Sequence, residues 1–332
     1  MTIVKFYSGM SSDLLDHTLS QLRKRRIPYH RMWRENVRPR LRGREIPSSA
    51  GAFAHTVKDQ LFVLDFSYVW FTSFSLSLLG RLGVGTGDAI DQNRIRTSMM
   101  IGLRICSDLA AVRTLVLCGA DIQAKQIVRS VSENVDALAL AQIKPEFCDE
   151  FVRDQDIDLN KGVWHRHISK GKARKAVRKH VDARPGGDHA DEWEKYRNGE
   201  ETVLAAAAHP SFITGWLTLF PHDGFHTSED VVGISDHVSP HSVRTLEYCN
   251  FRTLGFLTYD LFFFNLCNGL GVKVRQDMAA GPLKSEIAMA DGGRAVGVIL
   301  MDYLLRFQNR YDDQAFPPGK DIGEDIQPKG AS

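Results

Sequence analysis

The sequence predicts a mainly α-helical protein built as a multi-helix bundle. Apolar residues recur at helical spacing over long stretches without internal proline, most regularly in residues 93–117 and 121–143. Alternation of apolar and polar residues over a strand length is confined to residues 2–7, and no internal repeat is visible. The chain has 332 residues, of which 43% are hydrophobic and 25% charged, so it is long enough to bury a large core.

The helices follow in chain order. An amphipathic helix over residues 11–26 ends before Pro28, and an apolar helix over 61–82 runs into a glycine-rich hinge at 80–88. The helices 93–117 and 121–143 are separated by a short break at Gly119, which predicts an antiparallel hairpin. A short helix is expected from Pro145, and further helices at 190–208, 242–268 and 283–308. The residues expected in the core are Phe62, Trp70, Leu103, Leu115, Val131, Leu138, Trp216, Phe256, Phe262 and Leu300.

These elements suggest three regions. Residues 1–60 are predicted to form an irregular, exposed basic arm with one short helix. Residues 61–308 form the bundle, with a polar insertion at about 155–190, and residues 309–332 form a disordered or loosely attached tail. Residues 1–8 do not read as a signal peptide, and an aspartate interrupts each apolar stretch long enough to suggest a membrane span. The five cysteines form no Cys-x-x-Cys pair, so we expect a cytoplasmic protein without a disulfide framework or a zinc ribbon. Because the apolar stretches are interrupted, we also expect no membrane contact.

The formal net charge of +2 conceals two basic blocks. Residues 23–44 carry a net charge of +9 and residues 161–184 a net charge of +8, which leaves −15 for the rest of the chain. Such blocks can neutralise phosphates, and Tyr29, Trp33 and Trp164 offer rings on which unpaired bases could stack. Alternatively, the blocks dock onto acidic surface of the same chain, of a second copy or of a protein partner. The predicted nucleic-acid contacts are Arg23, Arg25, Arg26, Arg31, Trp33, Arg34, Lys172, Arg174, Lys175 and Arg178.

A candidate polar cluster begins with Arg129 and Glu133, which lie four residues apart on one face of a predicted helix. Two interpretations stay open. On the surface the residues would form an ordinary i,i+4 ion pair, whereas inside a bundle they would need a further polar partner. That partner would be His209, which follows a helix whose last residues, 205–208, are all alanine and permit close approach.

These residues resemble a family. The order of Arg129-x-x-x-Glu133, a long polar insertion and a helix ending in His209-Pro210-Ser211 looks like an uncharacterised group of bacterial helical proteins similar to the HEPN superfamily, which includes toxin and antiphage ribonucleases. The resemblance covers residues 93–215, about a third of the chain, and implies a HEPN-like bundle in which Arg129, Glu133 and His209 are the recurring polar positions. The alanine run at 205–208 replaces a Ser or Thr expected before the histidine, which weakens the case for catalysis.

HEPN ribonucleases also carry an arginine followed four to six residues later by a histidine, and Arg174 and His180 have that spacing. Arginine can hold a phosphate with two hydrogen bonds, and histidine can exchange a proton near neutral pH. The competing interpretation is a solvated basic helix, because residues 172–182 contain few apolar side chains to pack into the bundle.

Histidines crowd the region after residue 208. His222 and His226, and likewise His237 and His241, are spaced four apart, which suits zinc or manganese if the segment is helical. Gly224 and Pro240 favour an ordinary polar loop instead. Apart from this alternative, the sequence indicates no metal and no cofactor.

Together these patterns favour a HEPN-like protein that engages RNA or another nucleic acid, with a ribonuclease-like effector of bacterial defence as its expected context. If the protein is an enzyme, a metal-independent ribonuclease is the first hypothesis. The alternatives are a non-catalytic protein-interaction or regulatory module and a metal-dependent hydrolase that uses the region from His222 to His241.

Overall fold

The computed structural model describes residues 3–41, 54–84, 89–153, 157–183, 190–208, 240–259 and 283–315. This part of the chain is helical and contains no strand, which confirms the predicted mainly-α bundle. The helices are α1 (Ile3–Phe6), α2 (Ser12–Lys24), α3 (Tyr29–Met32), α4 (Ala54–Val84), α5 (Ala89–Leu117), α6 (Asp121–Ile143), α7 (Pro145–Arg153), α8 (Ile157–His167), α9 (Lys172–Asp182), α10 (Ala190–Ala208), α11 (Pro240–Tyr259) and α12 (Lys284–Ala315). A π-helical turn over Trp33–Val37 and a 3-10 turn over Arg38–Leu41 continue α3.

Helices α5 and α6 form the predicted antiparallel hairpin. Gly119 between them has a φ of 68°, a left-handed conformation that glycine adopts without strain. The Ser130 hydroxyl donates to Asp108 at 2.8 Å, and the Gln142 amide donates to the Ser98 hydroxyl at 3.0 Å. The later residue of α6 contacts the earlier residue of α5, so the two helices run antiparallel.

Helix α4 lies at the centre of the bundle and packs against α5, α11 and α12. The rings of Trp70 and Phe74 stack with centroids 5.2 Å apart, and the rings of Phe71 and Phe256 stack at 6.0 Å. The Trp70 Nε1 donates to the backbone carbonyl of Ala290 in α12 at 3.2 Å. The core thus forms where three long helices cover a fourth.

Among the described residues, α4 over Thr56–Leu82 is long and apolar enough to cross a membrane. However, 89% of its apolar window is buried inside the fold. Packing within the bundle therefore accounts for the apolar character of α4.

The N-terminal region is more ordered than the sequence suggested. Most of residues 3–41 are helical rather than irregular, so the predicted irregular arm is wrong for this stretch. Trp33 and Tyr7 are buried in the same core as Phe62, and the rings of Tyr7 and Phe62 lie 5.1 Å apart. The Ser11 hydroxyl donates to Asp59 of α4 at 2.5 Å. Burial of its aromatic side chains holds this segment against the bundle, although its sequence is rich in basic residues.

Most of the predicted core residues in the described part of the chain are buried. The exceptions lie on α5, on the side that no other long helix of this part covers. Leu103 is 46% exposed, so its assignment to the core is wrong, and Leu115 is only partly buried. Helix α5 carries apolar residues around much of its circumference, and helical spacing alone could not identify the side left open by α4 and α6. Trp216 and Phe262 lie outside the described residues. The buried predicted residues are Phe62, Trp70, Val131, Leu138, Phe256 and Leu300.

Two glycines in helices test this packing. A Cβ at Gly293 would lie 2.7 Å from Cδ1 of Trp70, whereas a Cβ at Gly199 would meet nothing within 4 Å. We expect Gly293→Ala to lower the free energy of unfolding by about 1–3 kcal/mol through overpacking. Gly199→Ala should raise it by about 0.5–1 kcal/mol, because alanine loses less conformational freedom in a helix. Urea denaturation measures both, and equal stability of the two variants would contradict the close approach of α12 to α4.

Candidate functional site

A buried polar network joins α6, α10 and α11 and is called the Asp136 network below. The Asp136 carboxylate accepts hydrogen bonds from Arg197 of α10 and from Arg252 of α11, the latter at 2.6 Å. All three side chains are buried. Burial alone would raise the pKa of the Asp136 carboxyl, but Arg252 and Arg197 outweigh it and hold the pKa below its ordinary value. The carboxylate therefore stays ionised and holds three helices together.

Glu201 extends the Asp136 network. Its Oε1 accepts hydrogen bonds from Arg197 at 2.6 Å, from Ser132 at 3.2 Å and from the Tyr248 hydroxyl at 3.3 Å. Burial raises the pKa of Tyr248 to about 12, so this hydroxyl remains a hydrogen-bond donor at neutral pH. The network runs antiparallel along α6 and α10, because Ser132 faces Glu201 and Asp136 faces Arg197.

Arg174 belongs to this network through its acidic partners. Its guanidinium donates to Glu201 at 2.9 Å, to Asn198 at 2.6 Å and to Glu194, and its side chain is only 18% exposed. All of these partners lie on α10. Arg174 thus joins α9 to α10, and its N–H groups are engaged by protein acceptors rather than presented to a phosphate.

The prediction of a fully solvated basic helix at α9 is therefore wrong. Ala173 and Val181 are buried, and the helix packs against α6. Its shortage of apolar residues was misleading, because small side chains and ion pairs suffice for contact. Arg174 and His180 are six residues apart, which places them about 120° from each other around the helix axis. The structure does not bring them to one face.

The Arg129 and Glu133 side chains form a surface pair. The Arg129 Nε donates to Glu133 at 3.3 Å, and each side chain is 43% exposed. The Gln126 amide, one turn before Arg129, donates to the backbone carbonyl of Ala207 in the last turn of α10 at 3.0 Å. His209 lies outside the described residues. The structure thus places two of the three residues together, in the turns of α6 that follow the contact between Gln126 and Ala207.

The described cations of the first basic block, within residues 23–38, form an exposed surface on helices and turns. Tyr29 and Trp33 are buried, so the prediction that they stack on nucleic-acid bases is wrong. The Trp33 Nε1 instead donates to the Tyr7 hydroxyl at 3.2 Å. Within residues 23–38, the rings of Tyr29 and Trp33 face the core, whereas the arginine and lysine side chains face solvent. We call the exposed cations the N-terminal basic surface, which consists of Arg23, Lys24, Arg25, Arg26, Arg31, Arg34 and Arg38.

The second basic block is divided between packing and solvent. The Arg178 Nε donates to Asp182 at 2.7 Å, and the Lys172 Nζ donates to the carbonyl of His165 at 2.7 Å. Lys172, Lys175 and Lys179 lie on the exposed face of α9. Among the residues of this block predicted to contact nucleic acid, Lys172 and Lys175 face solvent, whereas the Arg174 side chain is mostly buried against α10.

A buried charge centre that sequence reasoning missed joins the N-terminal segment to α4 and α5. The Arg113 Nε donates to Asp65 at 2.9 Å, and the Tyr7 hydroxyl also donates to Asp65. Burial raises the pKa of the Asp65 carboxyl, and Arg113 offsets this only in part. The available signal was an aspartate inside an otherwise apolar helix, since such a residue needs a partner. This centre holds the segment that carries the N-terminal basic surface.

The metal hypothesis finds no support in the described part of the chain. No group of three or more His, Cys, Asp or Glu side chains there could hold a metal ion. His222, His226 and His237 lie outside the described residues, and His241 lies partly buried in the first turn of α11. The hypothesis stays a prediction.

Comparisons with known proteins leave the family open. No family model matches the chain, and neither a curated protein nor a solved structure matches it. The HEPN resemblance therefore stays a prediction that depends on Arg129, Glu133 and His209.

Removal of the charge at the centre of the Asp136 network should be costly. We expect Asp136→Asn to lower the free energy of unfolding by about 3–5 kcal/mol at pH 7, because two buried guanidiniums lose their counter-charge. Glu133→Gln, in an exposed pair, should change it by at most about 0.5 kcal/mol. Urea denaturation of both variants measures the difference.

A comparison of wild type with Asp136→Asn across pH tests the lowered pKa of the Asp136 carboxyl. Because folding lowers the pKa of Asp136, the stabilisation is present above the unfolded value of about 3.9 and is lost as pH falls through the folded value. The stability gap between wild type and Asp136→Asn should therefore narrow below about pH 4. A gap that widens from pH 5 to pH 3 would contradict an ionised Asp136.

Proposed function

We propose that the protein binds nucleic acid, RNA in the first instance, through the N-terminal basic surface. The observation that carries this proposal is the density of exposed cations. Seven cationic side chains face solvent within residues 23–38, and Glu35 is the one acidic residue of that stretch. The surface thus concentrates positive charge in a chain whose formal net charge is only +2.

The chemistry of these side chains suits phosphate. Arg31 pairs with Glu35 at 3.1 Å, and Arg25 donates to the Gln21 side chain at 2.7 Å. Both contacts are solvent-exposed and weak enough to exchange for a phosphate oxygen. Guanidinium groups can bind phosphate with two parallel hydrogen bonds, and release of condensed counterions favours association with a polyanion.

The surface is held on a fixed base. Leu22 and Ile27, which flank the first four cations, are buried, and Ile27 packs against Gly292 of α12. Trp33 is buried immediately before Arg34. Because the backbone is positioned before binding, less conformational entropy is lost when the surface meets its ligand.

Charge substitution tests this proposal. We expect Arg23→Gln combined with Arg34→Gln to weaken binding of a single-stranded RNA oligonucleotide, measured by fluorescence anisotropy across a salt series. Each lost phosphate contact should reduce the slope of log K against log salt by about 0.7, hence by about 1.4 for the pair. Arg96→Gln with Lys195→Gln removes two exposed cations from α5 and α10 and should leave the slope unchanged.

Two outcomes would contradict the proposal. One is the absence of RNA binding even below about 100 mM salt, where phosphate contacts are strongest. The other is an equal loss of affinity in both double variants, which would indicate dependence on net charge alone. The first outcome would favour an acidic protein partner as the ligand of this surface.

A second candidate function is metal-independent RNA cleavage at the end of α10. The contact between Gln126 and Ala207 supports it, because it brings the last turn of α10 to the turn of α6 that precedes Arg129. The residue two positions after Ala207 is His209, a side chain able to exchange a proton near neutral pH. An arginine and a histidine are the chemistry that phosphodiester cleavage by general acid–base catalysis requires.

Cleavage is tested with purified protein and labelled RNA in the presence of EDTA. We expect His209→Ala to reduce the rate at least about 100-fold, the usual contribution of a general acid or base. His180→Ala should keep the wild-type rate, because Arg174 on the same helix is engaged by α10. Equal rates in wild type and His209→Ala would indicate a contaminating nuclease or another site.

A further inference from the structure

An exposed tryptophan distinguishes α8. The Trp164 side chain is 40% exposed, whereas Trp33 and Trp70 are fully buried in the core. Its neighbour Val163 is buried, so the helix turns one side to the bundle and holds the indole on the other. The ring contacts the imidazole of His165 edge-on, with centroids 4.9 Å apart.

Basic side chains lie on the same side of α8 as this ring. Lys161, three residues earlier, and His165 are exposed and lie on the same side of α8 as Trp164. Lys172 of α9 is brought to this side because its Nζ donates to the carbonyl of His165. We call this group the α8 face, which consists of Lys161, Trp164, His165 and Lys172.

Two acidic residues, Glu150 and Asp158, bear on the charge of the α8 face. Glu150 of α7 accepts hydrogen bonds from Arg166 at 2.8 Å and from His167 at 3.0 Å. Asp158 is exposed and lies three residues before Lys161, on the same side of α8 and about 120° from Trp164 around the helix axis. The α8 face thus presents an exposed indole beside two lysines and an imidazole, with Asp158 as the acidic residue on this side of α8.

The geometry of the turn after α8 keeps the α8 face in place. Lys170 and Gly171 have φ values of 56° and 69°, and this left-handed turn leads the chain back so that Lys172 reaches His165. The Ser169 hydroxyl donates to the same carbonyl at 3.0 Å. His167 is buried against Phe147, with ring centroids 5.6 Å apart. The indole is therefore presented by a backbone that needs no rearrangement.

We propose that the α8 face is a stacking platform for unpaired bases, so that the protein prefers single-stranded to double-stranded RNA. An indole stacks on the face of any base, but in a duplex those faces are covered by neighbouring bases. Adjacent cations hold the phosphates of the same strand. This inference rests on the RNA binding proposed above, and it identifies the class of RNA that is bound.

The experiment compares a single-stranded RNA of about 20 nucleotides with the duplex of the same length, by anisotropy at one salt concentration. Stacking of one base contributes a factor of about 5 to 150 in affinity. We expect Trp164→Ala to lose that factor on the single strand and less than about twofold on the duplex. Trp164→Phe should recover most of the loss, because phenylalanine retains a stacking face.

A matched control exists on the same helix. Leu159 is 57% exposed and apolar, so Leu159→Ala removes an exposed hydrophobic side chain without removing a ring. It should leave both affinities unchanged. Circular dichroism of each variant verifies that the helical content is retained.

The outcomes separate the two proposals. If both RNAs bind with salt dependence but Trp164→Ala weakens neither, or weakens both equally, the stacking platform is overturned and the RNA binding stands. If neither RNA binds at low salt, the proposed function fails and the inference fails with it. An effect of Leu159→Ala as large as that of Trp164→Ala would also overturn the inference, because it would show a hydrophobic contact without base stacking.

Discussion

The arrangement of the bundle depends on one buried carboxylate, Asp136, held between Arg197 and Arg252. A charge in this position is tolerated only with both partners in place, so the interaction sets where α10 and α11 lie against α6. Glu201 continues the constraint to Arg174 and so to α9. A single ionised side chain in the middle of α6 thereby connects to α9, which carries part of the second basic block.

A second buried pair does the same for the other basic block. Asp65 and Arg113 join α4 to α5, and Tyr7 adds the N-terminal segment. In both basic blocks, buried or partly buried acidic side chains attach the segment to the bundle, and most of the remaining cationic side chains face solvent. This separation explains how a chain with nearly balanced charge can present concentrated positive surfaces to a polyanion.

The helices could be predicted from sequence because helical periodicity is a local property. The bounds of α6 and α10 agree with the predicted 121–143 and 190–208, and the hairpin at Gly119 follows from a short break between two apolar repeats. Apart from the N-terminal segment, which is helical rather than irregular, the errors concern which side of a helix is covered. Leu103 faces solvent and Trp33 faces the core, and neither orientation is set by residues within a few positions. Each depends on a neighbouring helix that is remote in sequence.

For the candidate site, the sequence by itself determined the inventory: two concentrated basic blocks, an Arg129–Glu133 pair at helical spacing, and a mainly helical scaffold. Only the tertiary structure decided which of those side chains remain available. Arg174 is engaged by Glu194 and Glu201, twenty and twenty-seven residues away, whereas Arg34 faces solvent and Trp164 keeps an exposed ring. The physical reason is that charge is a property of residues, whereas the partners that neutralise or bury a residue are brought to it by the packing of helices.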